Sequence, residues 1–215
     1  MGSSSCVYLQ CTPASVSLIV RWPNNVSHVV TLIIDMQVGF FAHDLLARLR
    51  PALVANTNAL VAAARVAGST VIWVRTEFSP DLADAPIEVR NNRINLVVSG
   101  TPGASFLPEL NVIESDEFIV KKRYSAFFGT DLDERLSKLS CRQIIVAGVN
   151  THACVRSTVI DAYQRDFPVL LAKDCIASYD KEHHDITWRY MDGKFGRGMT
   201  NSELFENVYA RGENA

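Results

Sequence analysis

Short apolar runs alternate along this chain with stretches in which apolar positions recur at helical spacing. His28–Asp35 (HVVTLIID) is continuous and rich in β-branched residues, the pattern of a strand buried on both faces. Ser69–Thr76, Asp116–Lys122, Arg142–Val149 and Phe167–Asp174 read the same way, and a weaker run near Met199 predicts a last strand. Between them, Leu53, Leu60, Val61 and Ala64 predict a helix over Pro51–Ala67 that stops at Gly68. Leu132, Leu136 and Leu139 mark a short helix, Gly148–Phe167 carries another, and Glu182–Tyr190 a further one. Glu77–Ser115, punctuated by Pro80, Pro86, Pro102 and Pro108, predicts a long irregular connection of the kind that often covers an active site. This alternation predicts an α/β fold, a parallel sheet with helices on both faces.

Ligands of such sheets bind beyond the carboxyl ends of the strands. The first strand ends in Asp35, the third in Lys121, and the fourth runs into the turn that carries Cys154. A carboxylate, an ammonium and a thiol thus leave the sheet from one edge. A cysteine attacks as the thiolate. The first turn of a helix stabilises an anion, and a lysine within about 4–6 Å lowers a thiol pKa by about 1–3 units. A carboxylate can take the thiol proton and return it to a leaving group. These features predict a depressed pKa at Cys154 and suit acyl transfer from an amide or imide carbonyl.

Composition narrows the field. The chain has 215 residues, 48% apolar and 20% charged, with a formal net charge of −2, ordinary for a soluble globular protein. The lack of a long basic run argues against nucleic acid as a partner. Five cysteines without a CxxC spacing fit a reducing, cytoplasmic setting rather than a disulfide framework or structural zinc site. Cys6, Cys11, Cys141 and Cys175 read as plain thiols. Residues 1–28 differ in composition and read as an N-terminal extension to a single domain over 29–215. The apolar run VSLIV within them is too short for a signal-peptide core or a membrane span.

Three segments also resemble the signatures of the isochorismatase-like cysteine hydrolase superfamily: LIIDMQVGFF (Leu32–Phe41), KKRYSAFFGTDLDERL (Lys121–Leu136) and GVNTHACVRSTVIDAYQRDF (Gly148–Phe167). SGTPGASFLPEL (Ser99–Leu110) is similar to that family's GTPG-type loop. The resemblance implies a three-layer α/β/α fold around a six-stranded, mostly parallel sheet. It carries the catalytic aspartate onto Asp35, the lysine onto Lys121 and the nucleophile onto Cys154. It also implies a cis peptide at Val149–Asn150, an oxyanion hole from the N–H groups of Ala153 and Cys154, no cofactor, a small-molecule substrate and a homo-oligomer, dimer or tetramer.

Nicotinamidases of that family hold a metal with an Asp-x-His pair after the second strand and a further histidine. Val74–Asp81 here has no histidine, so neither a metal site nor nicotinamidase activity is expected. Retention of Cys154 favours C–N cleavage through a thioester over the vinyl-ether hydrolysis of isochorismatases, with a catalytically silent binding protein as the remaining alternative. Gln37, Phe40, Phe41, Glu77, Tyr124 and Phe127 are candidates for the substrate pocket, and His183 and His184 are expected at the surface.

Overall fold

A computed structural model describes residues 28–210. The expected extension, residues 1–28, lies outside the described residues apart from His28. Six strands, β1 (Val29–Ile34), β2 (Thr70–Thr76), β3 (Glu117–Lys121), β4 (Gln143–Val149), β5 (Val169–Ala177) and β6 (Arg197–Met199), form one sheet in the order β3-β2-β1-β4-β5-β6. Every neighbouring pair is parallel. The helices are α1 (Asp44–Val66), α2 (Ile87–Asn91), α3 (Leu132–Lys138), α4 (Arg156–Tyr163), α5 (Lys181–Met191) and α6 (Asn201–Leu204). Among the described residues, no helix is long and apolar enough to cross a membrane.

Every residue of β1 and β4 is buried, as their unbroken apolar runs require. Alternation sends Val29 and Ile33 to one face, where Leu46, Leu53, Leu60 and Val61 of α1 cover them. Thr31 on that face is satisfied by Tyr209, oxygen to oxygen at 2.8 Å. Val30, Leu32 and Ile34 meet Leu132 and Leu136 of α3 and Val159 and Ala162 of α4 on the other. The expected three-layer α/β/α architecture follows.

Four local features depart from the expected elements. Helix α1 starts at Asp44, ahead of Pro51, with the His43 side chain accepting from the Leu45 N–H as its cap. Pro51 lacks the N–H that would serve the Ala47 carbonyl, but both residues are exposed, so water can. Strand β5 runs past Asp174 to Ala177, because a register shift between Val146 and Gly148 lets Lys173 and Asp174 bulge. The stretch after β4 opens with a π-helical turn, Thr151–Val155, before α4. Glu77–Ser115 is less irregular than its prolines suggest: α2, a 3₁₀ turn at Pro102–Ala104 and a small core of Phe78, Leu82, Ala85, Val97 and Val98 organise it.

Strand order places the chemistry. The winding goes from β1 through β2 to β3 on one side and from β4 through β5 to β6 on the other. It reverses between β1 and β4, which opens a crevice at their carboxyl ends. Gly148 makes the close approach there possible: it has φ of 116°, and a Cβ would stand 1.9 Å from the Ile34 carbonyl oxygen.

Candidate active site

At the end of β1, Asp35 leaves the ladder with φ of 55°, while its N–H donates to the Val74 carbonyl at 2.8 Å. Its carboxylate lies over the end of β2, where Oδ1 accepts from the Thr76 N–H at 2.9 Å and the Thr76 hydroxyl at 3.0 Å. Oδ2 is 2.8 Å from Lys121 Nζ. From the last position of β3, Lys121 reaches past β2 and donates to Thr76 Oγ1 at 2.6 Å, to the Arg123 carbonyl at 3.2 Å and to Cys154 Sγ at 3.3 Å. Asp35, Lys121 and Cys154 are 0%, 1% and 5% exposed. The structure therefore brings together the three groups that the strand ends nominated.

Cys154 is held by the turn that follows the cis Val149–Asn150 peptide. Thr158 donates to the Cys154 carbonyl at 2.8 Å and accepts from the Ala126 N–H at 3.0 Å, tying the turn to α4 and to the loop after β3. The Asn150 carbonyl accepts from the Ala153 N–H at 3.0 Å and the Val155 N–H at 3.3 Å. Of the two amides expected to face an oxyanion, that of Ala153 thus already has a protein acceptor.

Electrostatics correct one expectation. The Cys154 thiol is not depressed but pushed up to about 12, first by burial and then by the negative charge of Asp35, against the opposing pull of Lys121. Burial alone would lower the Lys121 pKa, but attraction to Asp35 and to the sulfur outweighs it and holds the ammonium above the ordinary lysine value. A lysine shared with a carboxylate cannot ionise a desolvated thiol by itself. The resting centre is an ion pair beside a protonated sulfur.

A cavity of about 650 Å³ opens on the thiol. Its walls are largely apolar, with Phe40, Phe78, Leu96 and Tyr124 among them. At the mouth, His43 and His152 flank Tyr179 with ring centroids 5.2 and 5.1 Å away. His152 Nδ1 is 2.7 Å from Ser178 Oγ, and burial, then the nearby His183, lowers its pKa. His183 is exposed, as expected, and half-buried His184 lies 2.7 Å from Thr151 Oγ1.

Of the six residues expected at the pocket, Phe40 and Tyr124 line it and four lie elsewhere. Gln37 is wholly buried and binds main chain: its Nε2 donates to the Thr76 and Ala104 carbonyls, each at 2.8 Å, and its Oε1 accepts from the Thr76 N–H at 2.9 Å. Phe41 packs in the core under α1. Glu77 turns to Arg75 at 3.1 Å. Phe127 is buried beneath the Arg165 guanidinium at 4.5 Å. Thr76 was not foreseen. Its signal was present, since it is a polar residue closing a buried apolar strand, as Asp35 is.

Residues 29–203 match the isochorismatase domain of the known protein families. The chain belongs to the isochorismatase family. It is a hydrolase of the isochorismatase-like type. It is 34% identical over 172 residues to a probable inactive nicotinamidase of Arabidopsis thaliana, covering 76% of this chain and 86% of that one. Maleamate amidohydrolase of Pseudomonas putida is 28% identical over 160 residues, 73% of this chain and 75% of that one. The crystal structure of a cysteine hydrolase from Pseudomonas syringae pv. phaseolicola superposes with a TM-score of 0.79 at 26% identity, covering 90% of this chain and 96% of that one.

In this isochorismatase-family site, the stretch after β2 supplies Thr76 to Asp35 and Phe78 to the small core. That donor set does not suit the metal of nicotinamidases. Among the described residues, no group of three or more His, Cys, Asp or Glu side chains is arranged to hold a metal ion.

Proposed function

We propose that the protein hydrolyses a C–N bond of a small amide, imide or ureido compound with Cys154 as nucleophile. The observation that carries this reading is the convergence of Asp35 and Lys121, from two separate segments, on Cys154, which lines one cavity. The raised thiol pKa gives Asp35 the role of general base. As sulfur attacks the carbonyl carbon, the thiol proton passes to Asp35 and an S–C bond forms. Asp35 then protonates the departing amine as the C–N bond breaks, leaving a thioester. Water, losing a proton to Asp35, attacks that thioester, and release of the acid returns the proton to sulfur. Lys121 stays charged throughout and stabilises each anion in turn. The oxyanion would be taken up by the amides of Cys154 and Ala153, the latter by giving up or sharing its bond to Asn150. The need for a free thiol fits a reducing cytoplasmic setting, and light scattering tests the homo-oligomer expected of the family.

The test is a panel of small amides, imides and ureido compounds assayed for ammonia or amine release, with acid-quenched samples weighed intact. Turnover with an acyl adduct confined to Cys154, and neither in Cys154→Ala, is the expected result. Pyruvate release from isochorismate without amide turnover would instead favour the vinyl-ether reaction. A folded protein with no turnover and no adduct would leave only the binding role.

A further inference from the structure

Asp35 and Lys121 share a third partner besides the sulfur. Thr76 Oγ1 donates its only proton to Asp35 Oδ1 at 3.0 Å and accepts from Lys121 Nζ at 2.6 Å. The Thr76 N–H adds a second donor to the same Oδ1 at 2.9 Å. Two donors therefore load Oδ1 from one residue, while Oδ2 stands 2.8 Å from the lysine, and the Cys154 thiol also hydrogen-bonds the carboxylate. Gln37 fixes this residue in turn. Its side-chain amide shares the Thr76 N–H with Asp35 Oδ1, accepting at 2.9 Å, and donates to the Thr76 carbonyl at 2.8 Å, so both main-chain polar atoms are held. Gln37 and Thr76 are 0% and 6% exposed, so nothing but protein competes for most of these bonds.

We propose that Thr76, clamped by Gln37, is a positioning residue that commits Asp35 Oδ1 to hydrogen-bond acceptance and so assigns the proton exchanged with Cys154 to Oδ2. The inference rests on the cysteine mechanism above and deepens it by naming the atom that works as base. A carboxylate oxygen that already accepts two donors is the weaker base of its pair, and an added proton there would meet the Thr76 hydroxyl and amide hydrogens. Oδ2 faces the lysine that also touches the sulfur, so a proton leaving the thiol for Oδ2 stays beside the ammonium. The hydroxyl supports both charges of the ion pair, as donor to the carboxylate and acceptor from the ammonium. The ionisable groups facing Asp35 from neighbouring elements are Lys121 from β3 and Cys154 from the turn after β4. Thr76 does not titrate and sets how firmly Asp35 holds its charge.

The probe is iodoacetamide, with alkylation of Cys154 followed by peptide mass spectrometry between pH 4 and 10 on the full chain. Because Asp35 takes the thiol proton, the rate should be level through neutral pH and fall on the acid side. Thr76→Val keeps the shape and removes the hydroxyl. It should move that acid limb up by about one pH unit or more, the loss of one hydrogen bond to a charged group. Thr76→Ser should return the limb to within about 0.3 unit of the parent, as a hydroxyl role and not a packing role requires. A folded Thr76→Val protein with an unmoved limb overturns the inference, as does a Thr76→Ser limb displaced as far as that of Thr76→Val. If Thr76→Val does not fold, Thr76→Ser against Thr76→Ala decides in the same way. Absence of a level region in the parent protein itself overturns the base role of Asp35, and this inference with it.

Discussion

Cys154 and Cys175 are both buried, and burial is the first cause that pushes each thiol up to about 12. Their surroundings differ in kind. Cys175 lies in the core under α1, with its sulfur 3.4 Å from the neutral Asn201 Oδ1, and the negative charge of Asp174 raises it a little further. Cys154 lies 3.3 Å from an ammonium that is ion-paired to a carboxylate, at the wall of a cavity. A perturbed thiol therefore does not by itself single out the proposed nucleophile in this molecule. What separates the two is a proton acceptor poised beside one sulfur and room for a substrate.

The largest contrast should come from deleting each sulfur. Cys154→Ala should lower turnover of a hydrolysed amide by about 10⁴-fold or more, whereas Cys175→Ala should change it by less than about two-fold, as expected of a small change remote from the chemistry. Equal effects would erase the distinction. Next comes stability. Lys121→Ala strands the wholly buried Asp35 carboxylate and should lower the unfolding free energy in urea by about 3–5 kcal/mol. Loss of the sulfur alone, in Cys154→Ala, should cost well under that.

A smaller effect sharpens the comparison from the opposite side, because the two thiols should behave alike in it. An acid whose folded pKa is raised stabilises the fold fully below its unfolded pKa, about 8.5 for a thiol, and loses that stabilisation as pH climbs to the folded value. With both thiols at about 12, stability should fall above pH 9 by about 1.4 kcal/mol per pH unit for each. Cys154→Ala and Cys175→Ala should each remove one such slope from urea midpoints measured between pH 9 and 11. A slope removed by one variant alone would mean that the other sulfur is not held as a buried thiol.

The part of this contrast that was legible in the sequence is uneven, and the reasons are physical. Asp35 and Lys121 announced themselves because an ionisable side chain closing a buried apolar strand is costly unless it is used or paired. Thr76 closes a strand in the same way, but a hydroxyl carries so small a cost that nothing drew attention to it. The strands were readable wherever burial on both faces made them uniformly apolar. At β5 the polar pair Lys173–Asp174 looked like an end, and only a bulge against β4 lets the strand continue. Gln37 shows the converse error, since its place after a strand suggested a pocket lining, while its amide is consumed by the main chain of Thr76 and Ala104. The pKa of Cys154 could not be read at all. The same lysine that lowers it is shared with Asp35, and that sharing exists only in three dimensions.

The most direct measurement of the central claim is the pH dependence of iodoacetamide alkylation at Cys154 and Cys175 in one sample, followed peptide by peptide. With Asp35 as base, the rate at Cys154 should be level from about pH 6 to 9, while Cys175, which must ionise on its own, should gain about tenfold per pH unit. Parallel tenfold rises at both cysteines would contradict the account, because Cys154 would then be one more buried thiol.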